Sequence, residues 1–193
     1  MHPYRRIRIF SYSHPLGLNL KLPDSIGIRI SSEGLVTLYP NRGAVVTVLS
    51  VREVEEIYEL RQLLEGEALR RHFPRLSEQE LDAAALMLEQ MALTSDSESW
   101  GKLDRQFQAL LHGALSGTRL HDLIRSLRVH VDRYAHLYGL AMAHRTQFEA
   151  QHWELLTALR AGNIEHAVHI QRQQLGDTAA MLTAAMKERE QRR

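Results

Sequence analysis

The sequence contains no cysteine, and this absence excludes several kinds of chemistry. Disulfide bonds, thiolate metal ligands and cysteine nucleophiles all require the missing side chain. The chain also has no apolar run near the ~20 residues of a transmembrane helix, and its basic beginning lacks the apolar core of a signal peptide. We therefore expect a cytoplasmic protein without a membrane partner.

Motifs for catalysis are also missing from the sequence. There is no glycine-rich phosphate loop and no nucleophile elbow. Glu149 and His152 match one Glu-x-x-His half of a di-iron carboxylate site, but the chain has no second half. The sequence therefore predicts a protein that is not an enzyme.

Charge is distributed unevenly along the chain. Residues 1–43 hold six Lys/Arg and two Asp/Glu, whereas the remainder holds 18 Lys/Arg and 21 Asp/Glu. A basic N-terminal segment followed by a slightly acidic remainder is typical of a protein whose N-terminal part contacts nucleic acid and whose C-terminal part binds a ligand or dimerises. A basic N-terminus without stable structure would give the same distribution.

The first 49 residues favour extended structure. Residues 1–32 combine prolines and glycines with alternating apolar residues, which predicts irregular or weakly stranded structure. Residues 34–49 contain two β-branched runs separated by turn residues, which predicts a β-hairpin with Asn41 and Arg42 at its tip. Arg42 there either reaches a phosphate or a narrow minor groove, or is an ordinary exposed turn residue.

From residue 50 onward, apolar residues recur at helical spacing and predict about six helices. Ser77 and Glu80 form a capping box that begins the second helix. We expect the third helix to end near Gly117 and the fourth to end near Leu140. Short connections then favour a mainly α fold, an antiparallel helical bundle preceded by the β-hairpin.

The third helix carries polar residues beside its apolar stripe. Asp104 and Gln108 lie one turn apart on the same face. Burying an unpartnered amide or hydroxyl costs roughly 2–7 kcal/mol, so both residues need partners inside the fold. His152 and Gln174, on later helices, are the candidates. The sequence therefore predicts one polar cavity lined by these four residues.

Four blocks of sequence resemble a known family. Residues 33–46 (EGLVTLYPNRGAVV) are similar to the wing of the GntR-family winged helix-turn-helix. Residues 58–67 (YELRQLLEGE), 103–108 (LDRQFQ) and 151–163 (QHWELLTALRAGN) resemble motifs of the FadR-type C-terminal effector domain, called FCD. The blocks occur in the family's order.

The resemblance implies a bacterial transcription regulator that acts as a homodimer on operator DNA. Residues 1–49 would be the remnant of the winged helix-turn-helix, with the wing at residues 34–49. Residues 50–193 would be the all-α domain that binds a small carboxylate metabolite and dimerises. In many members of the family, a divalent metal anchors that metabolite.

The metal-binding positions of the family are half replaced. The family pattern of Asp, His, His and His falls on Asp104, Gln108, His152 and Gln174. Imidazole suits zinc or nickel better than a neutral amide does, so Asp104 and His152 alone form a weakened metal site. The two amides could instead bind a ligand directly, and His112 could substitute as a metal ligand.

The resemblance adds two further candidates for effector binding, Arg61 and Tyr138. An arginine fork suits a carboxylate, so Arg61 either faces the cavity or is a surface residue paired with Glu65 one turn later. Tyr138 is either a pocket residue or a core or rim tyrosine.

The segment expected to read DNA also departs from the family pattern. Residues 22–32 occupy the place of the family's recognition helix, yet they include Pro23 and Gly27. Proline and glycine disfavour a helix interior by about 3 and about 1 kcal/mol. The sequence therefore leaves two functions open, a DNA-binding regulator and a ligand-binding or dimerisation module that has lost sequence-specific DNA binding.

Overall fold

The computed structural model describes residues 10–11, 18–20, 36–39, 43–46, 49–113, 117–137 and 139–192. The chain divides into two units, Met1–Ser50 and Val51–Arg193. The predicted DNA-contacting residues Asn41 and Arg42, the pocket candidate Tyr138 and the segment 22–32 lie outside the described residues.

The first unit contains a four-stranded antiparallel sheet in the order β1-β2-β4-β3. Its strands are β1 Phe10–Ser11, β2 Leu18–Leu20, β3 Val36–Tyr39 and β4 Gly43–Val46. The two strands of the predicted hairpin are neighbours, with Val36 opposite Val46 and Tyr39 opposite Gly43. Antiparallel pairing suits their β-branched residues. Whether this strand pair serves as a wing is a separate proposal.

The second unit is all helical in its described part. Its helices are α1 Val51–His72, α2 Glu78–Leu93, α3 Ser97–Leu111, α4 Arg119–Leu137, the short α5 Leu140–Ala143, α6 Arg145–Arg160 and α7 Ile164–Gln191. A 3-10 turn at Phe73–Arg75 follows α1. The predicted bundle of about six helices is confirmed, and α5 is a single additional turn.

Two predicted helix ends were wrong. The third helix stops at Leu111 rather than near Gly117, because the backbone leaves helical geometry at His112, with φ −116° and ψ 6°. The fourth stops at Leu137 rather than near Leu140. Ends are the hardest feature to infer from periodicity, because the apolar pattern does not record where the backbone turns.

Local capping explains three of the helix boundaries. The predicted capping box at Ser77 is confirmed: the Ser77 backbone N–H donates to Glu80 Oε2 at 2.8 Å, and the Glu80 backbone N–H donates to Ser77 Oγ at 3.3 Å. At the end of α6, Gly162 takes φ +72°, and the N–H groups of Gly162 and Asn163 close a Schellman pair of bonds onto Leu159 and Ala158. The Asn163 side chain then caps α7.

Most of the hydrophobic core lies between α2, α3, α6 and α7, and Leu69 of α1 joins it. The fourth helix is attached differently. Its Ile124 packs with Ala68 of α1 in a separate small cluster, bordered by Leu64 and Leu120. Helix α4 therefore completes one wall of the bundle mainly through α1.

None of the described helices combines the length and the apolar composition that crossing a bilayer requires.

Candidate functional site

A cavity of about 130 Å³ lies inside the helical unit. Side chains from α1, α3, α4, α6 and α7 form its wall. The apolar part of the wall includes Trp100, Phe148 and Leu175. The polar part includes Arg61, Asp104, Gln108, Arg128, Asp132, His152 and Gln174. The four residues that the sequence predicted to share a cavity therefore all line it.

Three of these residues converge on one atom of the fourth, His152 Nε2. Gln174 Nε2 lies 2.8 Å from it, Asp104 Oδ1 lies 3.2 Å from it, and Gln108 Nε2 lies 3.4 Å from it. His152 is fully buried, whereas the Asp104 side chain is 32% exposed. The imidazole therefore forms the floor of the cavity, and the carboxylate reaches toward its open side.

The contacts of His152 favour a proton on Nε2. From that position it donates to Asp104 Oδ1. An Nε2–H cannot also accept from the Gln174 amide nitrogen, so the 2.8 Å contact with Gln174 is a hydrogen bond only when the amide oxygen and nitrogen are exchanged. The buried Nδ1 has no hydrogen-bond partner among the described residues, and an unpartnered lone pair there avoids burying an unpartnered N–H. Phe107 holds the ring edge-on, with centroids 4.9 Å apart.

The Asp104 carboxylate is stabilised in its charged form. Burial by itself would raise its pKa, but the hydrogen bond from His152 and the charges of Arg128 and Arg61 outweigh burial. The pKa of Asp104 is therefore held below its ordinary value, and the cavity contains a fixed negative charge at neutral pH.

The residues at this site do not fit the zinc or nickel ion that the resemblance implies. A histidine that ligates metal usually donates its second ring nitrogen to a partner, and His152 Nδ1 has none. Gln108 and Gln174 supply neutral amides where the metal needs imidazoles. Across the described ranges, no three or more His, Asp or Glu side chains gather in a way that could hold a metal ion.

Arg61 both faces the cavity and pairs with Glu65, the two alternatives considered from the sequence, but it is not the surface residue that the second alternative expected. It lines the cavity, and its Nε donates to Glu65 Oε1 at 2.7 Å, but it is buried rather than at the surface. Its guanidinium also lies 4.9 Å over the centre of the Tyr58 ring. Burial by itself would lower the pKa of Arg61, but the charge of Glu65 raises it above its ordinary value.

Sequence reasoning missed Arg128, which is central to the site. Its Nη2 donates to Glu65 Oε2 at 2.8 Å and to Gln108 Oε1 at 3.3 Å. The signal was available, because Arg128 follows Ile124 by four residues and precedes Val131 by three, and both of those are buried. An arginine inside an apolar stripe needs an anion, and Glu65 supplies it.

Gln171 was missed as well, and it links the cavity to a buried histidine. Its Nε2 lies 3.4 Å from Glu65 Oε2 and 3.2 Å from His112 Nε2, and its buried Oε1 has no partner among the described residues. His112 was considered a substitute metal ligand. It is instead buried against Gln171 and is not one of the residues that line the cavity.

Comparison with known proteins places this arrangement in a family. The FCD domain family matches residues 56–177 of the chain. A transcriptional regulator of the GntR family from Pseudomonas syringae pv. tomato is 25% identical, with 84% of this chain and 69% of that chain covered and a TM-score of 0.64. A comparison with curated protein sequences found no match.

Two further solved structures share the fold. The E. coli protein McbR/YncC is 22% identical, with 85% of this chain and 87% of that chain covered and a TM-score of 0.75. A GntR regulator from Rhodococcus sp. RHA1 is also 22% identical, with 88% of each chain covered and a TM-score of 0.70. Since the family match spans well over half of the sequence, the chain belongs to the FCD-domain family of GntR-type transcription regulators and is not an enzyme.

Proposed function

We propose that this chain is a metabolite-responsive, DNA-binding transcription regulator whose helical domain senses a small organic acid. The observation that carries the proposal is the polar cavity, open on one side, which is lined by Arg61 together with Asp104, Gln108, His152 and Gln174. A guanidinium fork recognises a carboxylate in two-point geometry. The amides supply donors and acceptors that orient the rest of the molecule.

Cavity size limits the effector. An engineered cavity of about 150 Å³ holds benzene, which has six non-hydrogen atoms, so a cavity of about 130 Å³ suits a molecule of roughly that size. Short-chain organic acids fall in this range. Long acyl chains and nucleotides do not.

The cavity wall suggests how binding would be communicated. The ligand would touch helices that otherwise meet only through side chains, and α4 is among them. A ligand shifts a protein between states only through contacts that differ between those states. We infer that the effector changes the position of α4 relative to α1, and that this change alters DNA affinity.

We also propose a homodimer. Helices α1 and α4 pack together, and both expose leucines that a monomer would leave in water, with Leu60 at 42%, Leu63 at 60% and Leu123 at 55% exposure. Exposed apolar side chains on adjoining helices are typical of a protein–protein contact. A two-fold dimer would suit a palindromic operator.

The β3-β4 pair is proposed as the wing, with Asn41 and Arg42 contacting DNA. A mobility-shift assay with the DNA upstream of the protein's own coding sequence tests this. We expect a sequence-selective shift that weakens with salt, because neutralised phosphates release counterions. Adding the organic acid should change the shift.

A matched pair of variants separates sensing from DNA binding. Arg61→Lys keeps the charge beside Glu65 but removes the fork, so it should retain the DNA shift and lose the response to the acid. Arg71→Lys, at an exposed position on the same helix, should retain both. An acid response that survives unchanged in Arg61→Lys would contradict the proposed sensing site.

The alternative function is a ligand-binding or dimerisation module that has lost sequence-specific DNA binding. It is favoured by Pro23 and Gly27 in the place of the recognition helix. Acid binding without any sequence-selective shift would support the module and contradict operator binding by this chain.

A further inference from the structure

The charges around the cavity balance each other. Two of the wall arginines, Arg61 and Arg128, already pair with Glu65, a fully buried carboxylate. A third, Arg105, is exposed at the cavity's edge. Asp104 pairs with His152. In all, three arginines face three carboxylates, those of Glu65, Asp104 and Asp132, so the side chains around the cavity offer an anion no net positive charge.

The third acidic group differs from the other two. Asp132 lines the cavity, and no basic side chain in the described part of the chain lies within ion-pair distance of its carboxylate. It is placed one turn after Arg128 on α4, at intermediate burial. A partly buried carboxylate without a direct partner is unfavourable, and a cation delivered by a ligand would relieve this.

The cavity wall also has hydrogen-bond donors on one side and hydrogen-bond acceptors on the other. A guanidinium has five N–H donors, and Arg61 and Arg128 leave several of them unused in their bonds to Glu65 and Gln108. Acceptors remain on the other side of the cavity, at the carboxylate of Asp132 and at the buried Gln171 Oε1, which has no partner among the described residues. The wall thus offers both donors and acceptors.

Resting on the proposed function, we propose that the effector carries a protonated amino group as well as a carboxylate, with the amino group against Asp132 and the carboxylate against Arg61 and Arg128. Such a zwitterion brings no net charge into a balanced cavity. A dicarboxylate would place its second carboxylate, in place of the amino group, beside Asp132, where the two negative charges repel each other.

Isothermal titration of the full chain with matched small acids tests the proposal. The probes are alanine and β-alanine compared with propionate, γ-aminobutyrate compared with butyrate, and the dicarboxylates succinate and glutarate. We expect at least one amino acid to bind about tenfold or more tightly than its counterpart without the amine, a difference of about 1.4 kcal/mol. The dicarboxylates should bind more weakly than the amino acid.

Two variants on one helix provide the residue-level test. Asp132→Asn should abolish the preference for the amino acid, because it removes the partner of the amino group and also relieves the repulsion that weakens binding of the counterpart acid. Asp122→Asn, at an exposed position of α4, should leave both affinities unchanged. Thermal melting of each variant without ligand checks that it is folded, and the comparison of acids on the unaltered chain does not depend on the variants.

The outcomes distinguish this inference from the proposed function. If plain acids or dicarboxylates bind as tightly as the amino acids, the amine is not recognised and the inference is overturned, while organic-acid sensing stands. If no acid of either class binds, the proposed sensing function fails together with the inference.

Discussion

Arg128 of α4 donates two hydrogen bonds to Glu65 of α1, from Nε to Oε1 at 3.2 Å and from Nη2 to Oε2 at 2.8 Å. The carboxylate is fully buried and also accepts from Arg61. Burial by itself would raise the pKa of Glu65, but the charges of Arg128 and Arg61 lower it far below its ordinary value. This two-point contact is the polar part of the attachment of α4 to α1 among the contacts described above, and the bond from Arg128 to Gln108 attaches α4 to α3.

Glu65→Gln should destabilise the fold strongly. It leaves two buried or half-buried guanidinium groups without their anion, and breaking one partner of a buried ion pair costs about 3–5 kcal/mol. Glu67→Gln, which breaks an exposed pair with Arg71 on the same helix, should cost about 0–1 kcal/mol. Urea denaturation measures both, and equal losses would contradict the central position of Glu65.

Restoring the family's histidines should create a metal site. The double variant Gln108→His with Gln174→His places three imidazoles and Asp104 around one point, a ligand set that suits zinc or nickel. We expect the variant to bind about one metal ion per chain with far higher affinity than the unaltered protein, as elemental analysis after dialysis and titration calorimetry would measure.

The matched control for that experiment replaces two exposed glutamines, Gln147→His with Gln173→His. This pair adds the same side chains away from His152, and it should not raise metal affinity. Tight stoichiometric metal on the unaltered protein would contradict the conclusion that its residues do not fit zinc or nickel.

Stability should fall as pH falls from neutral toward 4, in part because of His112. Burial lowers the pKa of His112 from 6.5 to about 4, although the charge of Glu65 acts in the opposite direction and that of Arg128 acts with burial. Between these values the unfolded chain binds a proton that the folded chain does not. Stability from this group is therefore present above the unfolded pKa and is lost as pH falls toward the folded pKa, by up to about 3 kcal/mol.

Denaturation at several pH values tests this contribution. His112→Gln removes the titrating group and should flatten the loss of stability between pH 6.5 and about 4. His169→Gln, at an exposed position of α7, should leave the slope unchanged. An unaltered slope in His112→Gln would show that other groups cause the pH dependence.

If the protein forms the proposed dimer, charged substitutions in the dimer contact should lower its molar mass in solution. Replacing the exposed Leu63 and Leu123 by Glu should shift the protein from dimer to monomer in light scattering, because charge in an apolar contact must be desolvated. Leu93→Glu, at the exposed end of α2, should leave the mass unchanged. A monomeric unaltered protein would contradict the homodimer directly.

The sequence by itself determined the helices and much of the candidate cavity. Apolar spacing and the Ser77 capping box depend only on residues within one or two turns, so they can be read without the fold. The grouping of Asp104, Gln108, His152 and Gln174 came from the family resemblance together with the need of buried polar groups for partners. The sequence was therefore sufficient to predict that these four side chains lie close together.

Only the tertiary structure decided which buried charges meet. Glu65 and Arg128 are 63 residues apart, and nothing local to either shows that α1 and α4 pack face to face. The same packing buried Arg61, turned His112 toward Gln171 and left Asp132 without an ion pair among the described residues. Burial and pairing of charge depend on distances between helices, and a pattern along one helix does not contain those distances.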